Sequence, residues 1–510
     1  MMKMLVTLVL LAVAPVALAL DFAAARGPFL VNNKTRGAIT MNGIWYSLSN
    51  STTDVNAMDS LNDAEACTRD AALMAQLGIN TIYVMAIDPK ENHDACFSIF
   101  NSVGIYIIVA LRTEGIFGLT YDEFAGSYTT DYLKGIFEVI DAVKDYDNLL
   151  GFDLGVMPLV GFFVSPAKDL TYAAGQKLYR AFVRDTKEYI AKHATRPILV
   201  GATLHLARND ELLQASYLTQ SHVHWFSCAV DGKKDDFSKA DYVSFWSLGY
   251  GEIDPVKKQI FTMRSIEGEL TTATVPTWFQ MYGVSDEADY VEYELRPDLL
   301  EDTFYLYNSS SQLVQPNGAL TGGARFTWTN TNLGWKVPIS NWGIVTTGPG
   351  GDVQLTPNYD RLREMFSQMY TGNWLSGSSI DNSYETPVKC DASNLKNTTT
   401  NLYFDEPTTV TIATDWALPT RPSGLDALIT SGASGKRGKM VDVTITTIVH
   451  AIKDSKGNAI TDIVLKPSKS GSAGTASTAT STGAAGSPFH TEGKTGVGAG
   501  IALAALAALF

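Results

Sequence analysis

The stretch that decides the fold is GINTIYVMAIDPKENHDACFSIFNSVGIYIIVAL, residues 78–111. Ile79–Met85 and Gly104–Leu111 are almost continuously apolar, as expected of strands buried on both faces. His93–Val103, between them, carries a helical pattern. Strand, helix and strand in this order predict a parallel βαβ unit, because parallel strands need a crossover.

The same alternation extends in both directions. Further strand-like runs are Ala38–Tyr46, Leu149–Val156, Pro197–Leu204, Ala240–Leu248, Pro276–Tyr282 and Gly323–Thr329. Helical patterns cover Asp63–Leu77, Thr129–Tyr146 and Ala173–His193. In Thr129–Tyr146, Leu133, Ile136, Phe137, Ile140 and Val143 recur at three- and four-residue spacing. Eight strands over roughly 300 residues fit an α/β fold, a (β/α)8 TIM barrel. An open doubly wound sheet is the alternative, and no G-x-G-x-x-G follows the first strand to support a dinucleotide cofactor.

Both ends read as addresses. Residues 1–19, MMKMLVTLVLLAVAPVALA, form a signal peptide, with a short apolar run and Ala17-Leu18-Ala19 before the cleavage point. A membrane anchor is the competing reading, but the run is short for a bilayer of about 30 Å. The end, GVGAGIALAALAALF, has no charge after Lys494. With the polar spacer before it, residues 487–510 read as the propeptide of a glycosylphosphatidylinositol (GPI) signal, with Gly483, Ala484, Ala485 and Gly486 as attachment candidates. Ser468–Ser487 holds ten Ser or Thr in twenty positions, so residues 467–486 read as a disordered, glycosylated stalk. Asn33, Asn50, Asn308 and Asn397 are N-x-S/T acceptors. The expected division is therefore a barrel over 20–345, a small β-rich domain over 346–466 with runs such as Thr408–Ile412 and Val441–Val449, and the stalk.

Charge and cysteine content exclude several function classes. The chain has 510 residues, with 39 Lys+Arg against 53 Asp+Glu, a net charge of −14. That balance argues against a nucleic-acid partner. Cys67, Cys96, Cys228 and Cys390 form no C-x-x-C pair, which makes a thiolate zinc site unexpected. His222-x-His224 suggests a metal pair but reads better as a functionless surface or strand pair. The strand ends of a barrel carry function. Here they are aromatic and poor in acids: Tyr46 in Trp45-Tyr46, Trp246, Tyr282 and Trp328 are candidates to stack on sugar faces, with rim packing the alternative for each.

Several segments resemble glycoside hydrolase family 72, fungal GPI-anchored β-1,3-glucanosyltransferases. They are GINTIYVMAIDPKENHDAC (78–96), GIYIIVAL (104–111), VIDAVKDYDNLLGFDLG (139–155), AFVRDTKEYI (181–190), PTWFQMYGV (276–284), Gly322-Gly323 and LGW (333–335). The resemblance implies disulfides Cys67–Cys96 and Cys228–Cys390. It also implies a retaining mechanism with two carboxyls about 5–5.5 Å apart, one acting as acid/base and one as nucleophile. The family carries G-N-E where this chain has Gly155-Val156-Met157, and S-E-Y-G where it has Gln280-Met281-Tyr282-Gly283. Met157 thus stands at the acid/base position and Met281 at the nucleophile position, and a thioether can serve neither role. The family's R-V-Y-A is Tyr83-Val84-Met85-Ala86 here.

Asp153, by strand parity with Met157, Asp286 and Glu114 are the acids that could substitute. The expected protein is a catalytically inactive, GPI-anchored member at the outer face of the plasma membrane or in the cell wall, binding β-1,3-glucan or another wall polysaccharide without cofactor or metal. An active transferase with relocated acids, and a structural or adhesion protein with a non-glucan partner, are the alternatives.

Overall fold

The structure, a computed structural model, describes residues 20–48, 59–111, 124, 126–156, 172–205, 212–249, 270, 273–284, 300–307, 314, 320–329, 343–369, 386–395, 399–403 and 407–467. The signal peptide, the stalk, the anchor signal, Met157, Glu114, Asp286, Asn50, Asn308 and Asn397 lie outside the described residues. A short antiparallel hairpin, β1 (Ala23–Arg26) and β2 (Phe29–Asn32), precedes the barrel. The barrel strands are β3 (Met41–Tyr46), β4 (Thr81–Val84), β5 (Tyr106–Ala110), β6 (Leu149–Val156), β7 (Leu199–His205), β8 (Tyr242–Gly249), β9 (Thr277–Val284) and β10 (Gly322–Arg325). Every neighbouring pair is parallel, and β10 closes on β3. The open doubly wound alternative is excluded.

The helices follow local rules. In α1 (Ala64–Leu77), the Asp63 carboxylate accepts from the N–H groups of Glu65 and Ala66, and Gly78, at φ 73°, ends the helix in the left-handed region. Next come α2 (Asp94–Ser102), α3 (Thr130–Val143), capped by the Thr129 hydroxyl, and α4 (Tyr172–His193). Helices α5 (Leu212–Ser227) and α6 (Glu301–Tyr307) were not legible in the sequence.

Two apolar layers result. The outward strand face packs on the helices in one large cluster that includes Ile44, Ile82, Ile107, Phe152, Phe245 and Phe279. The inward face forms a second cluster with Trp45, Tyr83, Tyr242, Trp246, Trp278 and Met281. The hairpin plugs the amino end of the barrel: Leu20, Ala23 and Leu30 join the inner cluster, and the Tyr106 hydroxyl donates to the Asp21 carbonyl at 2.7 Å.

After the barrel come β11 (Val345–Thr347), β12 (Val353–Leu355), α7 (Pro357–Met369), the hairpin β13 (Thr399–Tyr403) and β14 (Pro407–Thr411), α8 (Leu425–Ser431), β15 (Ile452–Lys453) and β16 (Ala459–Ile460). The sheet β11-β12-β15-β16 joins residue 345 to residue 460. Leu425, Ile429, Ala433 and Ile452 belong to the barrel's outer apolar cluster. Strand β14 matches the run expected at 408–412. The run 441–449 is a correction, since it pairs with no strand.

Both disulfides form as the resemblance implies, Cys67–Cys96 between α1 and α2, and Cys228–Cys390 between the end of α5 and the C-terminal region. Arg180 is buried beneath the second. Its guanidinium donates to the Cys228 carbonyl at 2.7 Å, pairs with Asp236 at 3.1 Å and lies over the Trp225 ring. Burial lowers its pKa to about 10 against the pull of Asp236.

Candidate functional site at the carboxyl end of the barrel

Function in this fold sits where the strands end and the βα loops begin. The loop after β4, residues 85–93, is described throughout. Its end is held by His93, whose Nε2 pairs with Asp59 Oδ2 at 2.7 Å, while the Asp88 N–H donates to the same oxygen at 2.9 Å.

The inner face just below this rim is aromatic. Trp45 stacks on Tyr83 with centroids 4.8 Å apart and meets Phe326 edge-on at 5.3 Å. Its indole N–H donates to the Gln280 carbonyl at 2.6 Å. Trp246 and Met281 face each other in register across β8 and β9, and both lie in the inner cluster. Met281 is thus a fully buried thioether in one cluster with Trp45, Trp246 and Phe326.

A register shift fixes this geometry. Phe245 pairs with Phe279, but Trp246 pairs with Met281, so Gln280 is the extra residue of a β-bulge. Phe279 faces the helices and Met281 faces the interior, and without the bulge Met281 would share the outward parity of Phe279.

Only one of the four aromatic candidates lines this interior. Trp246 does, at 6% exposure. Tyr46, Tyr282 and Trp328 are corrected: all three point outward into the helix layer and are fully buried. The Tyr46 hydroxyl donates to Asp70 Oδ2 at 3.0 Å, and Asp70 in turn receives Arg69 at 2.7 and 2.8 Å. Burial, reinforced by Asp70, pushes the Tyr46 hydroxyl well above its ordinary range. Tyr282 lies under Arg325, which pairs with the buried Asp302 at 2.9 Å. The Trp328 backbone bridges Trp45 to Ile344 and Val345. Trp45, next to Tyr46, is the inward residue of that pair. Counting pleats from Met41 would have found it.

Asp153 is the sole carboxylate within the eight barrel strands. It is wholly buried and committed to structure. Its Oδ1 accepts from the Gly155 N–H at 2.7 Å, and its Oδ2 accepts from the Thr203 hydroxyl, which also meets Ser244 at 2.7 Å. A second register shift lies between Asp153 and Val156, at Gly155 with φ 82°. The parity linking Asp153 to residue 157 is therefore broken.

His222 and His224 are on helix α5, two residues apart and so on different sides of it. His222 pairs with the Tyr172 hydroxyl at 2.5 Å. Burial lowers the His224 pKa, against the opposing pull of Asp391. The strand reading of this pair is corrected, and the two rings cannot share one ion. Asn33 sits half-exposed in the turn after β2, its N–H donating to the Phe22 carbonyl at 3.0 Å.

Comparison with known proteins now adds to this geometry. The sequence pattern of the glucanosyltransferase family, glycoside hydrolase family 72, matches residues 23–308. The chain is 29% identical over 448 residues to the 1,3-β-glucanosyltransferase gel2 of Aspergillus fumigatus, covering 88% of this chain and 83% of that one. It is 28% identical over 418 residues to the probable 1,3-β-glucanosyltransferase GAS3 of Saccharomyces cerevisiae, covering 79% and 70%. Its fold is similar to that of Saccharomyces cerevisiae Gas2p in complex with laminaritriose and laminaritetraose, with a TM-score of 0.54, 20% identity, and coverage of 79% of this chain and 78% of that one. Barrel topology, both disulfides and the span of the match agree: the chain belongs to the glucanosyltransferase family, glycoside hydrolase family 72.

Proposed function

We propose that this protein is a non-catalytic member of its family that binds β-1,3-glucan at the cell surface. The observation that carries the reading is methionine at both positions matched to catalytic glutamates, Met157 and Met281. The inward, apolar setting of Met281 supports it. So does the commitment of Asp153 to the Gly155 and Thr203 bonds, which leaves no free carboxylate in the barrel strands. Retaining transfer needs a carboxylate nucleophile and a titratable acid, and neither methionine provides one.

The rest of the proposal concerns place. The mature chain begins after Ala19 and carries glycans on Asn33, Asn50, Asn308 and Asn397. It stands on a Ser/Thr-rich stalk at 467–486 and is joined to a GPI lipid at one of Gly483, Ala484, Ala485 or Gly486. The outer face of the plasma membrane is then its location, and residues 346–466 are a β-rich appendage to the barrel.

The test is direct. Purified protein is incubated with reduced β-1,3-glucan oligosaccharides, and longer products are sought by chromatography. No elongation together with retention on insoluble glucan is expected. Elongated products would overturn the inactive reading, and failure to sediment with glucan would overturn the binding reading. Release of the protein from cells by a phosphatidylinositol-specific phospholipase checks the anchor.

A further inference from the structure

Residues 441–449, VDVTITTIV, form a run of strong β-formers with no strand to pair with. They cross the outer surface between two fixed points and are also tied at the middle, where the Thr68 hydroxyl donates to the Ile445 carbonyl at 3.4 Å. Before the run, Lys439 N–H donates to Asp94 and Val441 N–H to Ser98, both at 2.9 Å. After it, Ala451 N–H donates to Asp352 at 2.9 Å, and β15 pairs with β12. Between these points, no backbone N–H of residues 442–450 donates to a protein acceptor among the described residues. Val441 and Ile445 are each 37% exposed and Val449 is 62% exposed. Val443 and Ile448 pack on the outer apolar cluster and seat the strap.

An exposed segment with free donors and β-branched side chains is a template for pairing with another strand. The sequence indicates which strand. Read about Ile445, the run is nearly its own mirror: Val441 faces Val449, Val443 faces Thr447, Thr444 faces Thr446, and Ile445 faces itself. Antiparallel self-pairing therefore opposes β-branched residues at every position except 442 and 448, which favours cross-strand packing. The one charged residue, Asp442, falls opposite Ile448 rather than opposite its own copy. A two-fold interface requires this kind of self-complementarity. The bend at Thr447 is held by no hydrogen bond, and Thr446 and Thr447 are exposed; straightening it costs the packing of one side chain, since Val443 and Ile448 lie at opposite strand parity.

We propose that residues 441–449 are a self-association edge, pairing antiparallel with the same segment of a second copy about an axis at Ile445. A pairing of this length is small beside a standard interface of roughly 1,600 Å2, so the association is transient. Cross-linking is the suitable readout, and all four native cysteines are already in disulfides, so an added cysteine is the only thiol.

The full chain is prepared as Ile445→Cys, Val441→Cys and Val449→Cys and oxidised with copper–phenanthroline. Ile445→Cys is expected to give a covalent dimer at least tenfold faster than Val441→Cys alone. Mixing Val441→Cys with Val449→Cys is expected to restore the fast rate. Adding Ile448→Pro to Ile445→Cys should remove the advantage, with circular dichroism confirming that the barrel is folded. Equal rates for Ile445→Cys and Val441→Cys, or no dimer from Ile445→Cys, would overturn the proposal. An unaltered rate with Ile448→Pro would also overturn it.

Discussion

Replacing Tyr282 separates a packing role from a ligand role on β9. The ring is fully buried on the outward face of β9, with Phe279 at 6.2 Å and the Arg325 guanidinium at 6.0 Å. An aromatic ring of this kind buries about 150–250 Å2, worth about 4–6 kcal/mol at 25 cal/mol per Å2 as an upper bound. Alanine keeps part of that area, and measured truncations of buried aromatics fall at about 3–5 kcal/mol. Tyr282→Ala should therefore lower the free energy of unfolding by about 3–5 kcal/mol. It also strips one side from the buried Arg325–Asp302 pair. Tyr282→Phe removes only a buried hydroxyl that makes no hydrogen bond among the described residues, and should change stability by less than about 1 kcal/mol. The assay is urea denaturation followed by tryptophan fluorescence, with and without a β-1,3-oligosaccharide. A ligand at 100 times its dissociation constant stabilises the native state by about 2.7 kcal/mol, and Tyr282→Phe should retain that increment in full. Trp246→Phe, on the inner face, should reduce it. If Tyr282→Ala unfolds at the wild-type urea concentration, or if Tyr282→Phe loses the ligand increment, the outward placement of this ring is wrong.

The two disulfides close loops of 29 and 162 residues, so loop-closure entropy predicts losses of about 3.6 and about 5 kcal/mol for Cys67→Ala/Cys96→Ala and Cys228→Ala/Cys390→Ala. Urea midpoints for the two double variants should follow that order. Burial alone would raise the Glu188 pKa, but hydrogen bonds from Arg421 and Lys192 overcome it and hold the group below the ordinary carboxylate range. Because its folded pKa is below its unfolded value, its contribution is present above about pH 4.3 and is lost as pH falls through the folded value. Arg421→Gln should flatten the dependence of unfolding free energy on pH between about 3 and 5. Restoring glutamate at Met157 and Met281 together should give no elongation of reduced oligosaccharides, and turnover at family-like rates would refute this.

Periodicity alone located all eight barrel strands, because strands buried on both faces read as unbroken apolar runs. What it could not locate was the face each end residue takes. Trp45 and Tyr46 are adjacent aromatics, and only the pleat decides which one enters the barrel. Three bulges, at Leu150, Gly155 and Gln280, each shift parity by one residue without any periodic signal. That is why Asp153 looked like a neighbour of the acid position. Helix α5 was missed because LLQASYLTQSHVHWFS carries apolar residues around most of its circumference, so no single stripe stands out. The run 441–449 was read as a strand from composition, yet a strand also needs a neighbour, and this one is held by end hydrogen bonds, a side-chain bond at Ile445 and the packing of Val443 and Ile448 instead of by a ladder.

The two faces of the barrel strands divide what holds the fold from what lines its interior. Stability resides mostly in the outward face, where Tyr46, Phe279, Tyr282 and Trp328 pack on helices and on the buried Asp70–Arg69 and Asp302–Arg325 pairs. Chemistry would reside on the inward face, at Met281 and its neighbours. Substitutions there leave the helix contacts untouched, and an introduced carboxylate would meet an apolar setting. A glutamate at position 281 would sit in an apolar cluster with Trp246, Trp45 and Phe326. Burial in such a setting raises a carboxyl's pKa and keeps it protonated, and a protonated acid is a poor nucleophile. Two glutamates alone therefore return the residue types without the electrostatic setting that makes one of them an anion and the other an acid.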